Sequence, residues 1–231
     1  MGTPLLRFGL DHWLTMHGIK QPQLMQDDQG IYWLSQEHKH RVDWLKKHRS
    51  FHQQGMPKIH HKLLRSVIGK LQKPPSVFDA CAGLGRDSFL LTLAGCEVYA
   101  CESNPEVFLL LMDAYLHAKQ IGWVGQNNLS LVYGDAVTYL KCWPKARPRP
   151  DVVYLDPMYP QKLKGQVKAE MAFLQQTVGA IEQKEMFDVA KKIATTRVVV
   201  KRPLRGVYLN EQAPTFSFSG RTTRYDIYQL S

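Results

Sequence analysis

The sequence predicts an α/β fold: a mostly parallel sheet with a C-terminal antiparallel hairpin, preceded by a small N-terminal α+β subdomain. Three observations lead there. From Ser76 onward, short apolar runs alternate with helical stretches, and strands apolar on both faces belong to parallel sheets covered by helices on either side. The last segment, TFSFSGRTTRYDIYQL, instead alternates residue by residue around Ser219-Gly220, as a hairpin does. Residues 1–75 follow neither rhythm, are strongly basic, and end in the chain breaker Pro74-Pro75. The 231 residues, 44% hydrophobic, suffice for one large domain over 76–231 with such an appendage.

Within the first part, QLMQDDQGIYWL reads as strand, turn at Asp27-Asp28-Gln29-Gly30, then strand. PKIHHKLLRSVIGKL sets Ile59, Leu63, Val67, Ile68 and Leu71 at helical spacing, with His60, Lys62, Arg65 and Lys70 off that stripe. In the second part SVFDAC is the first strand, and RDSFLLTLAG is a helix closed by Gly95. CEVYACE is the second strand. Asn104-Pro105 then opens the helix PEVFLLLMDAYLHAKQ, with asparagine as cap and proline at its favoured first position. LSLVYGD, DVVYLDP and RVVVKRP supply the third, fourth and fifth strands, with helices over 164–177 and 182–194 before the last. KCWPKARPRP is a proline-stiffened basic loop.

Charge narrows the class of partner. Thirty Lys and Arg against twenty Asp and Glu give a net charge of +10, and residues 36–73 alone hold ten cations, two acids and six of the nine histidines. Such a run is either a solvated face or, beside Trp33, Trp44 and Phe51, a surface for a polyanion, whose phosphates supply most non-specific affinity. No apolar stretch approaches the ~20 residues of a membrane-spanning helix. No charged-then-apolar leader opens the chain, which points to a cytoplasmic protein. Cys81, Cys96, Cys101 and Cys142 form no CxxC pair and no zinc-type cluster with histidine, so reduced thiols and no metal are expected.

The chemistry gathers at the carboxyl ends of the strands, where open α/β sheets bind ligands. The first strand ends DACAGLGRD: Asp79, then Gly83 and Gly85, whose backbone freedom permits a tight turn and close approach of a ligand, then Arg86-Asp87. The second ends at Glu102, seventeen residues beyond Gly85, where a carboxylate suits two ribose hydroxyls. The third ends at Gly134-Asp135, and the fourth at Asp156-Pro157-Met158-Tyr159. Each acid alone could serve a turn or a helix dipole. Four on one rim repel one another, which a purely structural design has little reason to tolerate.

No GxxxxGK[ST] phosphate loop is present, and Arg86-Asp87 stand where a dinucleotide fold would place its third glycine. An acid-lined rim suits a nucleoside with positive charge and no phosphate, which is S-adenosyl-L-methionine. Asp156 and the Pro157 carbonyl could then accept from an exocyclic base amine and orient it for in-line attack, while Tyr159 stacks on a flipped-out base. Lys201-Arg202, at the end of the fifth strand, could hold a phosphate, or Lys201 could pair with a rim acid.

On DACAGLGRDSF, CESNP, VVYLDPMYP, VVVKRP and RYDIY, the chain from about Val77 onward resembles the Rossmann-like class I methyltransferases. More narrowly, it resembles the bacterial guanine-N2 methyltransferases of small-subunit ribosomal RNA designated family J. The resemblance implies methylation of one guanine amine in 16S rRNA, naked or in the small ribosomal subunit, with S-adenosyl-L-methionine as donor. It implies cofactor contacts at Arg86-Asp87, Glu102-Ser103, Asp135-Ala136 and Asp156. Ser103 and Asp135-Ala136 depart from the family's frequent arginine and small hydroxyl residues at those places. Two other readings stay open: an adenine-N6 or cytosine-N4 methyltransferase, and a non-catalytic RNA-binding relic of the fold.

Overall fold

The computed structural model describes residues 9–19, 24–35, 38–44, 58–122, 128–157 and 180–230. Helix α1 (Leu10–Met16) leads into a three-stranded antiparallel sheet of β1 (Leu24–Asp27), β2 (Gly30–Ser35) and β3 (His38–His40). The hairpin of β1 and β2 turns at Asp27-Gly30, as the sequence predicts; α1 and the short β3 carry no comparable pattern. Helix α2 (Lys58–Val67) follows, and it stops short of the apolar stripe that continues to Leu71. Gly69 sits at φ +60, where a Cβ would lie 2.6 Å from Arg197, and this left-handed residue ends the helix.

The second part is β4 (Ser76–Asp79), α3 (Arg86–Leu93), β5 (Glu97–Glu102), α4 (Pro105–Gln120), β6 (Leu129–Tyr133), α5 (Ala136–Lys141), β7 (Val152–Leu155), α6 (Ala180–Ile193), β8 (Arg197–Pro203), a 3-10 turn at Leu209–Glu211, β9 (Phe216–Ser219) and β10 (Thr223–Gln229). Its seven strands lie in the order β6-β5-β4-β7-β8-β10-β9. The first five are parallel, and β10 pairs antiparallel with both β8 and β9. This is the sheet the sequence predicts, with the hairpin at one edge. The helix expected over 164–177 lies outside the described residues; that over 182–194 is α6.

Local chemistry fixes these elements. The Asn104 side chain accepts from the amides of Glu106 and Val107, Pro105 fills the first position, and His117 and Lys119 face the negative end of the α4 dipole. Along β7, Val152 and Tyr154 join the core on one face and Val153 and Leu155 that on the other; β8 repeats this with Val199 against Val198 and Val200. Period-two alternation with both faces buried is the mark of a central strand.

The N-terminal part packs onto this sheet's helices. Leu10, Leu14, Leu24, Ile31 and Trp33 form one cluster with Val107, Leu109 and Leu110 of α4 and with Leu84, while Trp44, Leu63 and Val67 enter the main core. The Asp113 carboxylate on α4 accepts from the Ile31 amide at 3.3 Å, tying β2 to that helix.

Candidate active site

The carboxyl ends of β4 to β8 open into one cleft of about 910 Å³. Its floor is the turn from β4 to α3. Gly83 (φ +53) and Gly85 (φ +70) both adopt left-handed conformations that side chains avoid. At Gly85 space forbids a side chain as well: a Cβ would fall 2.3 Å from Leu111 and 2.5 Å from Trp44. The Trp44 indole supports the turn from beneath, donating to the Leu84 carbonyl at 2.8 Å and stacking on Phe89.

Asp79 does not project into open solvent. It is 1% exposed, accepting from the Ser88 hydroxyl and the Cys81 amide. Burial pushes its carboxyl up to about 7, against the pull of Ser88 and with the nearby Asp87 and Asp156 adding to the rise. Glu102 cross-braces the turn: one oxygen accepts from the Gly83 amide at 2.9 Å and the other from the Asn104 amide at 2.7 Å. Burial raises its pKa in spite of those amides. With the Ser103 amide as a third donor, the carboxylate still keeps lone-pair capacity for a ligand hydroxyl. Asp135 caps α5, accepting from the Thr138 amide at 2.7 Å. Burial works against its charge, but the bonds from Thr138 and Val137 outweigh it and leave the pKa lowered.

At the far end of the cleft the β7–β8 register sets Leu155 opposite Val200, so Asp156 and Lys201 leave the sheet side by side. The Lys201 ammonium donates to Asp156 Oδ2 at 2.6 Å and to Asp87 Oδ2 at 2.9 Å. The Tyr154 hydroxyl donates to the same Asp87 oxygen at 2.7 Å. Burial opposes the Lys201 charge, but the two carboxylates dominate and raise its pKa well above the ordinary value. Burial raises Asp156, Lys201 pulls it back, and Asp87 pushes it up again. One Asp156 oxygen is thus committed to the lysine, leaving Oδ1 for a ligand.

The cleft therefore brings together Asp79, Gly83, Arg86, Asp87, Glu102, Ser103, Asp135, Ala136, Asp156 and Pro157. Gly85 stands just beneath, as the residue that lets the turn close over Trp44 and Leu111. Tyr159, expected to stack on a base, lies outside the described residues. The phosphate-holding role considered for Lys201-Arg202 gives way to the pairing alternative: Lys201 is taken by two carboxylates, and the buried Arg202 donates to the Val207 carbonyl. Trp33 and Trp44, expected beside a polyanion-binding face, are instead buried in the core, and Trp44 serves the turn; the parts played by Ser88 and Tyr154, read only as members of a helix and an apolar strand, were not found from the sequence. Among the described residues no group of three or more His, Cys, Asp and Glu is arranged to hold a metal, and no helix is long and apolar enough to cross a membrane.

S-adenosyl-L-methionine fits this donor set. The buried carboxylates oppose a phosphate but suit a cationic ligand, Glu102 has capacity for hydroxyls, and the glycine turn leaves room above it, since a Cβ at Gly83 would meet nothing within 4 Å.

Comparison with known proteins points the same way. The family model for SAM-dependent methyltransferases matches residues 11–230. The ribosomal RNA small subunit methyltransferase J of Thioalkalivibrio sulfidiphilus is 39% identical over 231 residues, covering 98% of this chain and 85% of that protein. The protein of the same name from Neisseria gonorrhoeae is 42% identical over 160 residues, 67% of this chain; the match spans 63% of that relative's length. A crystal structure of a SAM-dependent methyltransferase from Neisseria gonorrhoeae superposes with a TM-score of 0.76 at 29% identity, over 99% of this chain and 92% of that one.

Proposed function

This chain belongs to the SAM-dependent methyltransferase family, and from that premise we propose that it methylates the exocyclic N2 amine of a guanine in 16S rRNA, in the cytoplasm. The observation that carries this reading is Asp156 at the end of β7, with one oxygen fixed by Lys201, the other open to the cleft, and Pro157 beside it.

When bound, S-adenosyl-L-methionine supplies an electrophilic methyl carbon on a sulfonium. In our reading the chain does the rest. Glu102 accepts from the ribose hydroxyls, and Asp135 with Ser103 and Ala136 borders the adenine. The Gly83–Asp87 turn with Asp79 receives the cationic amino-acid end. Asp156 Oδ1 and the Pro157 carbonyl accept from the target amine, whose lone pair is otherwise conjugated into the ring, and aim it at the methyl carbon. The methyl group would pass from sulfur to the amine nitrogen, its bond to sulfur breaking as that to nitrogen forms and S-adenosylhomocysteine being left, and Asp156 would take the proton that the nitrogen sheds. The raised pKa of that carboxyl suits it to take a proton. Tyr159 stacks on the base. The basic residues of 1–75 hold the RNA backbone, and residues 76–231 carry the chemistry.

The test is Asp156→Ala. Mass mapping of 16S rRNA from cells lacking the chromosomal gene and carrying either form should find one guanine methylated by the wild type and none by the variant. Calorimetry with S-adenosylhomocysteine should find ligand bound by both. Methylated adenine or cytosine in place of guanine would move the reading to the amino-methyltransferases of those bases. Failure of the wild type to bind S-adenosylhomocysteine would leave an RNA-binding relic.

A further inference from the structure

At the end of β8 the chain makes a compact knuckle, Pro203-Leu204-Arg205-Gly206-Val207-Tyr208, at the mouth of the same cleft, where Pro203, Thr222 and Thr223 form part of the wall. Its backbone is pinned from several sides. The Leu204 amide donates to the Thr222 carbonyl at 2.9 Å and the Gly206 amide to the Pro203 carbonyl at 2.9 Å. Arg224 donates to the Leu204 carbonyl at 2.9 Å, and Arg202 to that of Val207. Arg224 is itself held by the fully buried Asp226 at 2.9 Å, and its guanidinium lies 4.8 Å from the centre of the Tyr208 ring. Burying a guanidinium is costly unless partners compensate, and this fold commits two, Arg202 and Arg224, to the carbonyls of an exposed loop.

What that loop displays is apolar. Leu204 is 37% exposed, Val207 77% and Tyr208 42%, while Leu209 immediately turns back into the core. A single exposed valine is ordinary. Three large apolar side chains within five positions, on a pinned loop at the lip of a cleft, serve no packing of the core. Arg205 and Arg221 stand exposed beside them, with no carboxylate partner among the described residues. Apolar tip, rigid support and flanking cations together match a nucleic-acid strand, since a base that enters a cleft must leave its stack, and an apolar side chain can occupy or brace the gap it leaves.

We propose that the Pro203–Tyr208 knuckle is a wedge for the RNA strand carrying the target nucleotide, with Val207 and Tyr208 against the neighbouring bases and Arg205 and Arg221 on the adjoining phosphates. This rests on the reading that the cleft acts on a base of RNA. It adds the C-terminal half of the chain to the RNA surface, which the charge of residues 36–73 alone would not have placed there.

The experiment uses the full chain, with naked 16S rRNA and small subunits purified from cells lacking the gene. Filter binding across a salt series should give Arg205→Ser/Arg221→Ser a log–log slope shallower by about 1.4, the loss of two phosphate contacts on a single strand. Val207→Ser should lower kcat/KM for RNA about tenfold, the worth of covering one exposed valine side chain, with S-adenosylhomocysteine affinity and melting temperature as in the wild type. Wild-type slope and kcat/KM in these variants would overturn the wedge. A wild-type protein that methylates neither RNA, while the arginine variant still changes the slope, would keep the surface and remove the chemistry assigned to the cleft.

Discussion

Lys201→Met tests the machinery at its most loaded point. The substitution keeps the length and apolar stem of the side chain but removes the ammonium that stands 2.6 Å from Asp156 and 2.9 Å from Asp87. Each attraction, taken at about 4 Å between charge centres in surroundings of intermediate polarity, is worth roughly 4 kcal/mol before desolvation is subtracted. Truncating one member of a buried pair typically costs about 3–5 kcal/mol, because the partner is left uncompensated. Lys201 is 25% exposed, so the lower end, about 3 kcal/mol, is expected here. The loss should depend on pH. Without the cation the Asp156 carboxyl, already raised by burial, rises further above the unfolded-state value, so stability is present at low pH and lost as pH climbs through its folded-state pKa. The variant should therefore melt closest to the wild type at pH 5.5 and furthest below it at pH 8. Asp156, no longer anchored, should lose its aim: kcat falls about 100-fold at pH 7.5, the usual result of a catalytic group displaced by an ångström. Binding of S-adenosylhomocysteine should survive, and Lys201→Arg should recover part of the rate. A wild-type kcat, or a stability deficit identical at pH 5.5 and pH 8, would refute this account of the ion cluster.

Two further outcomes follow from the floor of the cleft. Asp79, with its carboxyl raised to about 7, favours the folded state below pH 4 and loses that contribution as pH rises through 7. Asp79→Asn should flatten this part of the decline in melting temperature between about pH 4 and 7, because its carbonyl still accepts from Cys81 and its amide can donate to Ser88; an unchanged decline would exclude Asp79 as its source. Gly85→Ala forces a Cβ to within 2.3 Å of Leu111 and 2.5 Å of Trp44 at φ +70. It should cost more than about 2 kcal/mol in urea denaturation and abolish binding of S-adenosylhomocysteine; a stable, ligand-binding variant would contradict the close packing under the turn.

The sequence made the strands and their terminal acids legible because both are local signals: an apolar run, a turn residue, a carboxylate. The α4 cap at Asn104-Pro105 and the C-terminal hairpin were readable for the same reason. What escaped is long-range. The sequence offered Lys201 a rim acid as partner but not Asp87, 114 positions away, and gave no sign that Trp44 reaches Leu84 across 40. Neither Trp44 in its basic segment nor Tyr154 in its apolar strand announces that its polar atom serves a turn or an acid elsewhere. The acids themselves looked alike in sequence. Only folding distinguishes Asp79, enclosed and turned toward Ser88, from Asp135, which caps a helix, and from Asp156, which keeps one oxygen open. The three strands near the N-terminus were partly hidden because His38–His40 is short and flanked by charge.

The lysine that balances the acids arrives late in synthesis. While the ribosome has delivered β4 to β7 but not β8, Asp87 and Asp156 exist without their counter-cation, and β7 lacks a neighbour on one side. A nascent or truncated chain of that length would hold its carboxyls against one another at neutral pH. Assembly of the pocket thus waits on the last strands, so a broken-off fragment has little means of competing with the finished chain for a ligand of the cleft.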